Sequence, residues 1–263
     1  MHRLTSLISV PDLVTRQSDA NLVMLDASWY LPSDGRDPGA EYLARHIPGA
    51  LFFDIDAVSD KTNPCPHMLP TGSMFAEQMG LLGIGADTEV VIYDTKGLFS
   101  APRAWWMFRV FGHRSVKVLN GGLPAWLAAD RSTTDAKSPV GVPANPFSAQ
   151  YCLEWVADKD DVAIHLAEDS ARVVDARSAS RFAGAEAEPR AGVRPGHMPG
   201  ARNVHYAKMT TGEPAVLAPE GDLRALFDAV GIDHSTPVVT TCGSGISACL
   251  LALALTEVHP RSV

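Results

Sequence analysis

A chain of 263 residues is long for one domain and sufficient for two. Apolar residues make up 46% and charged residues 20%, which excludes a disordered chain and provides for buried cores. The net charge of −8 argues against a nucleic-acid partner, so any anionic substrate needs positive charge gathered locally.

Residues 1–13 alternate polar and apolar positions, so no signal peptide is expected. Leu22–Leu25 is the first run of strand length, and Asp26-Ala27-Ser28 follows it. His46-Ile47-Pro48-Gly49-Ala50 reads as a turn ahead of another strand. A helix is expected over Met74–Leu82, a strand over Val90–Tyr93, and a helix over Ala101–Val110, where Trp105 and Trp106 read as packing residues. Val116–Leu119 reads as a strand; a Gly-Gly turn and a short helix around Trp126 come next. The stretch 136–150 is proline-rich and aperiodic, as a linker is. Beyond it, strands are expected at Arg172–Val174 and Pro237–Thr241, and helices at Asp222–Val230 and Ser247–Leu255. No apolar run approaches the roughly 18 residues of a membrane span, so no membrane partner is expected.

One pattern is written twice. Leu25-Asp26-Ala27-Ser28 returns as Val174-Asp175-Ala176-Arg177, His46–Ala50 as His197-Met198-Pro199-Gly200-Ala201, and Val90–Asp94 as Val238–Cys242. The offsets are 149, 151 and 148 residues (26 to 175, 46 to 197, 90 to 238), so chance is a poor explanation. Strands alternating with helices imply an α/β fold, here two tandem domains with mostly parallel, covered sheets. The expected division is residues 1–135, a linker at 136–150, and residues 151–263. The second copy reads as shortened at its C-terminus, because the last strand and helix of the first copy find no counterpart.

Chemistry concentrates in Thr241-Cys242-Gly243-Ser244-Gly245-Ile246-Ser247-Ala248, between an expected strand and an expected helix. A glycine-rich strand-to-helix turn directs backbone N–H groups inward, and the helix dipole adds positive potential. A thiol heading such a loop is favoured as the nucleophilic thiolate. Cys249 falls on the apolar side of the following helix and reads as core, whereas Cys65 and Cys152 lie in loop-like sequence. These four cysteines form no C-x-x-C pair and no metal-ligand spacing with histidine, so no metal site is expected. Reduced thiols and the absence of a secretion signal point to the cytoplasm. A tyrosine-phosphatase reading of the loop wants arginine six residues after the cysteine, where Ala248 stands.

On these residues the sequence resembles the tandem-rhodanese sulfurtransferases, over about residues 23–255. The resemblance rests on DASWYLP at 26–32, RHIPGALFFDID at 45–56, HMLP at 67–70, SAPRAWWMFRVFGH at 100–113, LNGGLPAW at 119–126, EPRAGVRPGHMPGARN at 188–203 and CGSGISA at 242–248. The uncharged cysteine loop is similar to that of the 3-mercaptopyruvate branch, with Ile246 and Ser247 as mild changes, and it suits one carboxylate better than dianionic thiosulfate. The resemblance implies a Cys242 persulfide, formed from 3-mercaptopyruvate with release of pyruvate and discharged to a thiol such as thioredoxin or to cyanide. It implies that Arg181 and Arg190 hold the substrate, that Gly243, Gly245, Ile246 and Ser247 line the loop, that Asp56, His67 and Ser244 relay a proton (the alternative for Asp56 and His67 being a structural bond across the domain interface), and that no metal or organic cofactor is needed. It also implies an inactive first domain, where Asp94 stands at the position of Cys242. A thiosulfate-preferring enzyme and a non-catalytic persulfide-binding module are the alternatives.

Overall fold

The computed structural model describes residues 6–190 and 192–259. Two compact units result, residues 1–152 with 212–216, and residues 153–211 with 217–263.

The first unit is built on five strands, β1 (Leu7–Ile8), β2 (Leu22–Asp26), β3 (Leu51–Phe52), β4 (Glu89–Tyr93) and β5 (Val116–Leu119). Their order is β1-β5-β4-β2-β3, and every pairing is parallel. Parallel neighbours require crossovers, which place helices on the sheet faces. The helices are α1 (Val10–Arg16), α2 (Pro38–Ala44), α3 (Ile55–Val58), α4 (Gly72–Leu81), α5 (Ala101–Val110) and α6 (Gly122–Ala128). Several start where the sequence supplies an N-cap: Ser9, Asp37, Asp54 and Thr71 each accept a backbone N–H of the first turn. One core joins Leu13, Met24, Ile47, Val91, Tyr93, Leu119, Leu123 and Trp126.

The stretch 136–150 belongs to this unit. Phe147 is buried and meets Phe75 and Phe108 edge-on, with centroids 5.5 and 6.2 Å away. Trp105 is fully buried, and Trp106 lies under the Arg103 guanidinium at 4.5 Å.

The second unit repeats the middle of this plan with β6 (Arg172–Asp175), β7 (Arg202–Asn203) and β10 (Val238–Thr241). The order β10-β6-β7 is again parallel throughout and matches β4-β2-β3 of the first copy. The register repeats as well: Asp26 lies opposite Tyr93, and Asp175 opposite Thr241. The short strands β8 (Thr210–Thr211) and β9 (Val216–Leu217) pair with each other. Helices α7 (Lys159–Glu168), α8 (Ala179–Phe182), α9 (Glu220–Asp228) and α10 (Ser247–Val258) complete the unit. Among the described residues β10 pairs with β6 alone, whereas β4 also holds β5. All four β10 residues are partly exposed, against one of five in β4.

Both His-x-Pro-Gly-Ala motifs adopt one local structure. His46 Nδ1 lies 2.7 Å from the Tyr42 carbonyl and its ring stacks on Tyr42 at 4.2 Å; His197 does the same with Phe182, at 2.7 Å and 3.8 Å. Gly49 and Gly200 take left-handed φ of 85° and 93° in the turns that follow, which only glycine adopts readily.

Candidate active site

Cys242 follows the last residue of β10, and α10 begins five residues later. Nearly every residue of α10 is buried, from Ala248 to Leu255 and again at Val258, so the loop rests on a fixed helix. No side-chain hydrogen bond caps the N-terminus of α10, and in its first turn the Cys249 amide donates to the Ile246 carbonyl at 3.1 Å. Gly245, with φ 76°, turns its N–H onto Cys242 Sγ at 3.1 Å. On the other side of the same residue, Cys249 Sγ donates to the Gly245 carbonyl at 3.1 Å. Cys249 is thus core, as the sequence suggests, and also braces the loop.

The first copy displays the same kind of turn with an anion in place. Asp94 follows β4, and its carboxylate accepts the backbone N–H groups of Lys96, Phe99, Ser100 and Ala101 at 2.8–2.9 Å. The carboxylate supplied by the chain itself therefore fills that cradle.

Two arginines approach the cysteine loop. Arg190 Nη1 donates to the Gly243 carbonyl at 3.1 Å. Arg181 lies so near that a Cβ on Gly243 would stand 3.0 Å from its Nη2. A side chain at position 243 would therefore require the Arg181 guanidinium to give by a few tenths of an ångström. The loop residues Cys242, Gly243, Ser244, Gly245, Ile246 and Ser247 and both arginines all fall in the second unit. Asp56 and His67 fall in the first, where His67 Nε2 is 2.9 Å from Asp56 Oδ1. Trp29 Nε1 donates to the other Asp56 oxygen at 3.1 Å, and Arg103 donates to the His67 carbonyl. The hydrogen bond from His67 holds the Asp56 carboxyl below the usual carboxylate range.

Sequence reasoning did not single out a buried ionic chain behind the loop. Asp175 closes β6 and takes Arg177 through Nε and Nη2, at 2.9–3.0 and 2.5 Å. Arg177 Nη1 reaches Glu188 Oε1 at 2.7 Å. Glu188 in turn holds Arg181, through Nε at 3.2 Å and Nη2 at 2.5 Å. The Glu188 side chain is 5% exposed, and Arg181 together with Arg177 holds its carboxyl below the ordinary range. The available signals were Arg177 inside the repeated Asp-Ala-x landmark and Glu188 inside the Glu-Pro-Arg motif; neither spacing reveals burial.

The comparisons agree with this geometry. The rhodanese-like domain family matches residues 11–129 and 158–263. The 3-mercaptopyruvate sulfurtransferase of Rattus norvegicus is 48% identical over 88% of this chain and 78% of its own length. That of Escherichia coli K12 is 41% identical over 93% of this chain and 86% of its own. A crystal structure of SseA from Escherichia coli, described as a 3-mercaptopyruvate sulfotransferase, superposes with a TM-score of 0.86 at 38% identity, covering 97% of this chain and 94% of that one. Tum1 from Saccharomyces cerevisiae gives 0.88 at 30% identity, covering 98% and 90%. With the duplicated parallel sheet and the cysteine-headed loop, these matches establish that the chain belongs to the rhodanese family.

Proposed function

We propose that this chain transfers sulfur from 3-mercaptopyruvate through a persulfide on Cys242 and releases pyruvate. The observation that carries the reading is the loop itself: a half-buried thiol receives an amide hydrogen bond at the N-terminus of a helix, with two guanidinium groups against the same loop. Relatives named for this reaction, 48% and 41% identical, support the choice of donor.

The thiolate of Cys242 attacks the donor's sulfur, the carbon–sulfur bond breaks, and its electron pair leaves on carbon as the enolate of pyruvate. The proton from the donor thiol ends on that carbon, and the persulfide remains as an anion. The Gly245 N–H that reaches Cys242 Sγ can serve the outer sulfur of this anion in the same way, so one turn accommodates both states. Arg181 and Arg190 are assigned to the donor's carboxylate and ketone oxygen, because a guanidinium fork matches planar oxygen pairs. Gly243, Gly245, Ile246 and Ser247 shape the loop without adding charge. Ser244 and the Asp56–His67 pair are assigned to proton transfer on the strength of the family motifs.

The outer sulfur passes to a thiol, with a small dithiol protein such as thioredoxin as the proposed acceptor. The cytoplasm is the proposed setting, supported by four cysteines that are not joined in disulfides. Among the described residues no helix is long and apolar enough to cross a membrane. One plant relative, 39% identical, is named a mitochondrial thiosulfate/3-mercaptopyruvate sulfurtransferase, so donor and location both need testing. The purified protein is expected to show a higher kcat/KM for pyruvate release from 3-mercaptopyruvate than for thiocyanate formation from thiosulfate and cyanide. The reverse order assigns the chain to thiosulfate. Failure with both donors leaves a persulfide-binding module.

A further inference from the structure

The ionic chain behind the cysteine loop has a geometry that bulk stability does not require. Glu188 takes the Nε–Nη2 edge of Arg181 and leaves the Nη1–Nη2 edge free of it. A guanidinium held by one edge can present the other to a second carboxylate in bidentate fashion. The same Glu188 lies two residues before Arg190, whose Nη1 reaches the Gly243 carbonyl. One buried carboxylate thus fixes the plane of one arginine and the segment that carries the other. Its anchor is rigid, since Arg177 ties it to Asp175 at the end of β6, beside the strand that leads to Cys242.

The internal duplication separates this arrangement from what the fold alone needs. Ser28 stands in the first copy where Arg177 stands in the second, and its hydroxyl donates to Asp26 at 2.5 Å. Glu188 has no such counterpart: four residues lead from Tyr42 to His46 and fifteen from Phe182 to His197 (42 to 46, 182 to 197), Glu188 lies in that longer stretch, and the helix carrying Tyr42 is headed by Asp37. Asp37 is exposed and caps α2 through the Ala40 N–H at 3.0 Å. The same backbone plan therefore closes without the buried Arg–Glu–Arg chain. That chain occurs in the copy that has the cysteine.

We infer that Glu188 is a positioning residue for donor recognition: it aligns Arg181 and seats the Arg190 segment, so that both guanidinium groups address the Cys242 loop. The inference rests on the assignment of these two arginines to the donor's carboxylate and ketone oxygen. Glu188 itself acts through Arg181, whose Nη2 it holds.

Steady-state kinetics on the full chain tests this with a double-mutant cycle of Glu188→Gln and Arg181→Lys. Glu188→Gln is expected to raise KM for 3-mercaptopyruvate about tenfold while kcat stays within about threefold. In the Arg181→Lys background the same change is expected to alter KM less than about twofold, because the residue it acts through has gone. Discharge of a preformed Cys242 persulfide by cyanide, which involves no donor carboxylate, is expected to keep its wild-type rate. Should Glu188→Gln fail to fold, Glu188→Asp carries the same KM expectation, since it keeps the charge and withdraws it by one methylene. An unchanged KM overturns the inference, as does an effect that adds in full to that of Arg181→Lys. If the wild-type protein releases no pyruvate at all, the proposed function fails; if it does and Glu188→Gln is silent, only the role of Glu188 fails.

Discussion

Cys242 and Cys249 flank one turn and meet different surroundings. Cys249 is buried in α10 and spends its thiol proton on the Gly245 carbonyl, as an inert structural cysteine does. Cys242 is half-buried and receives a proton donor, the Gly245 amide, at 3.1 Å. That difference was legible in the sequence, because a strand followed by Cys-Gly-Ser-Gly and an apolar helix fixes which thiol faces the amides. Glu188 was not legible: in sequence it is a charged residue in a polar loop, and only burial between two guanidinium groups gives it a role. Asp56 is a case between the two, since its motif is recognisable and its bond to His67 is present. Asp56→Asn removes the charge facing His67 and is expected to lower kcat for pyruvate release about ten- to hundredfold with little change in KM. A kcat equal to wild type, measured by pyruvate formation, removes the pair from the chemistry.

At the scale of elements, the loops after β4 and β10 are two versions of one device. The first closes four amides around the carboxylate of Asp94, and in the second the Gly245 amide reaches the Cys242 thiol. Asp94→Ala leaves four backbone amides without their acceptor, and burial of even one costs about 1–3 kcal/mol. Thermal unfolding of this variant is therefore expected at a clearly lower Tm, with a loss of at least about 3 kcal/mol; an unchanged Tm would mean that the amides find water instead. Strands β2, β4, β5, β6 and β10 and helices α4, α5 and α9 fall within two residues of their sequence expectations and α10 runs three residues further, all being long enough for periodicity to speak. The two-residue strands β1, β3 and β7 carry no such signal and exist because longer neighbours offer them an edge. The proline-rich stretch 136–150 reads as a linker from composition alone; Phe147 turns it into part of the first core.

For the whole molecule, duplication explains why one chain carries two loops of one kind, one headed by Asp94 and the other by Cys242. The fold was readable because three landmarks recur in register, and the two copies keep the same β-strand pairing. Among their differences, the exchange of Asp94 for Cys242 at the head of the loop is the one on which the proposal places the chemistry in the second copy. A carboxylate cannot accept sulfur, so loading is limited to one cradle per chain. Intact-protein mass spectrometry after incubation with 3-mercaptopyruvate tests this most directly. The account predicts a gain of one sulfur atom per chain, located on Cys242 by peptide mapping, reversed by cyanide and absent in Cys242→Ser. Pyruvate release without that adduct, or an adduct that persists in Cys242→Ser, would contradict it.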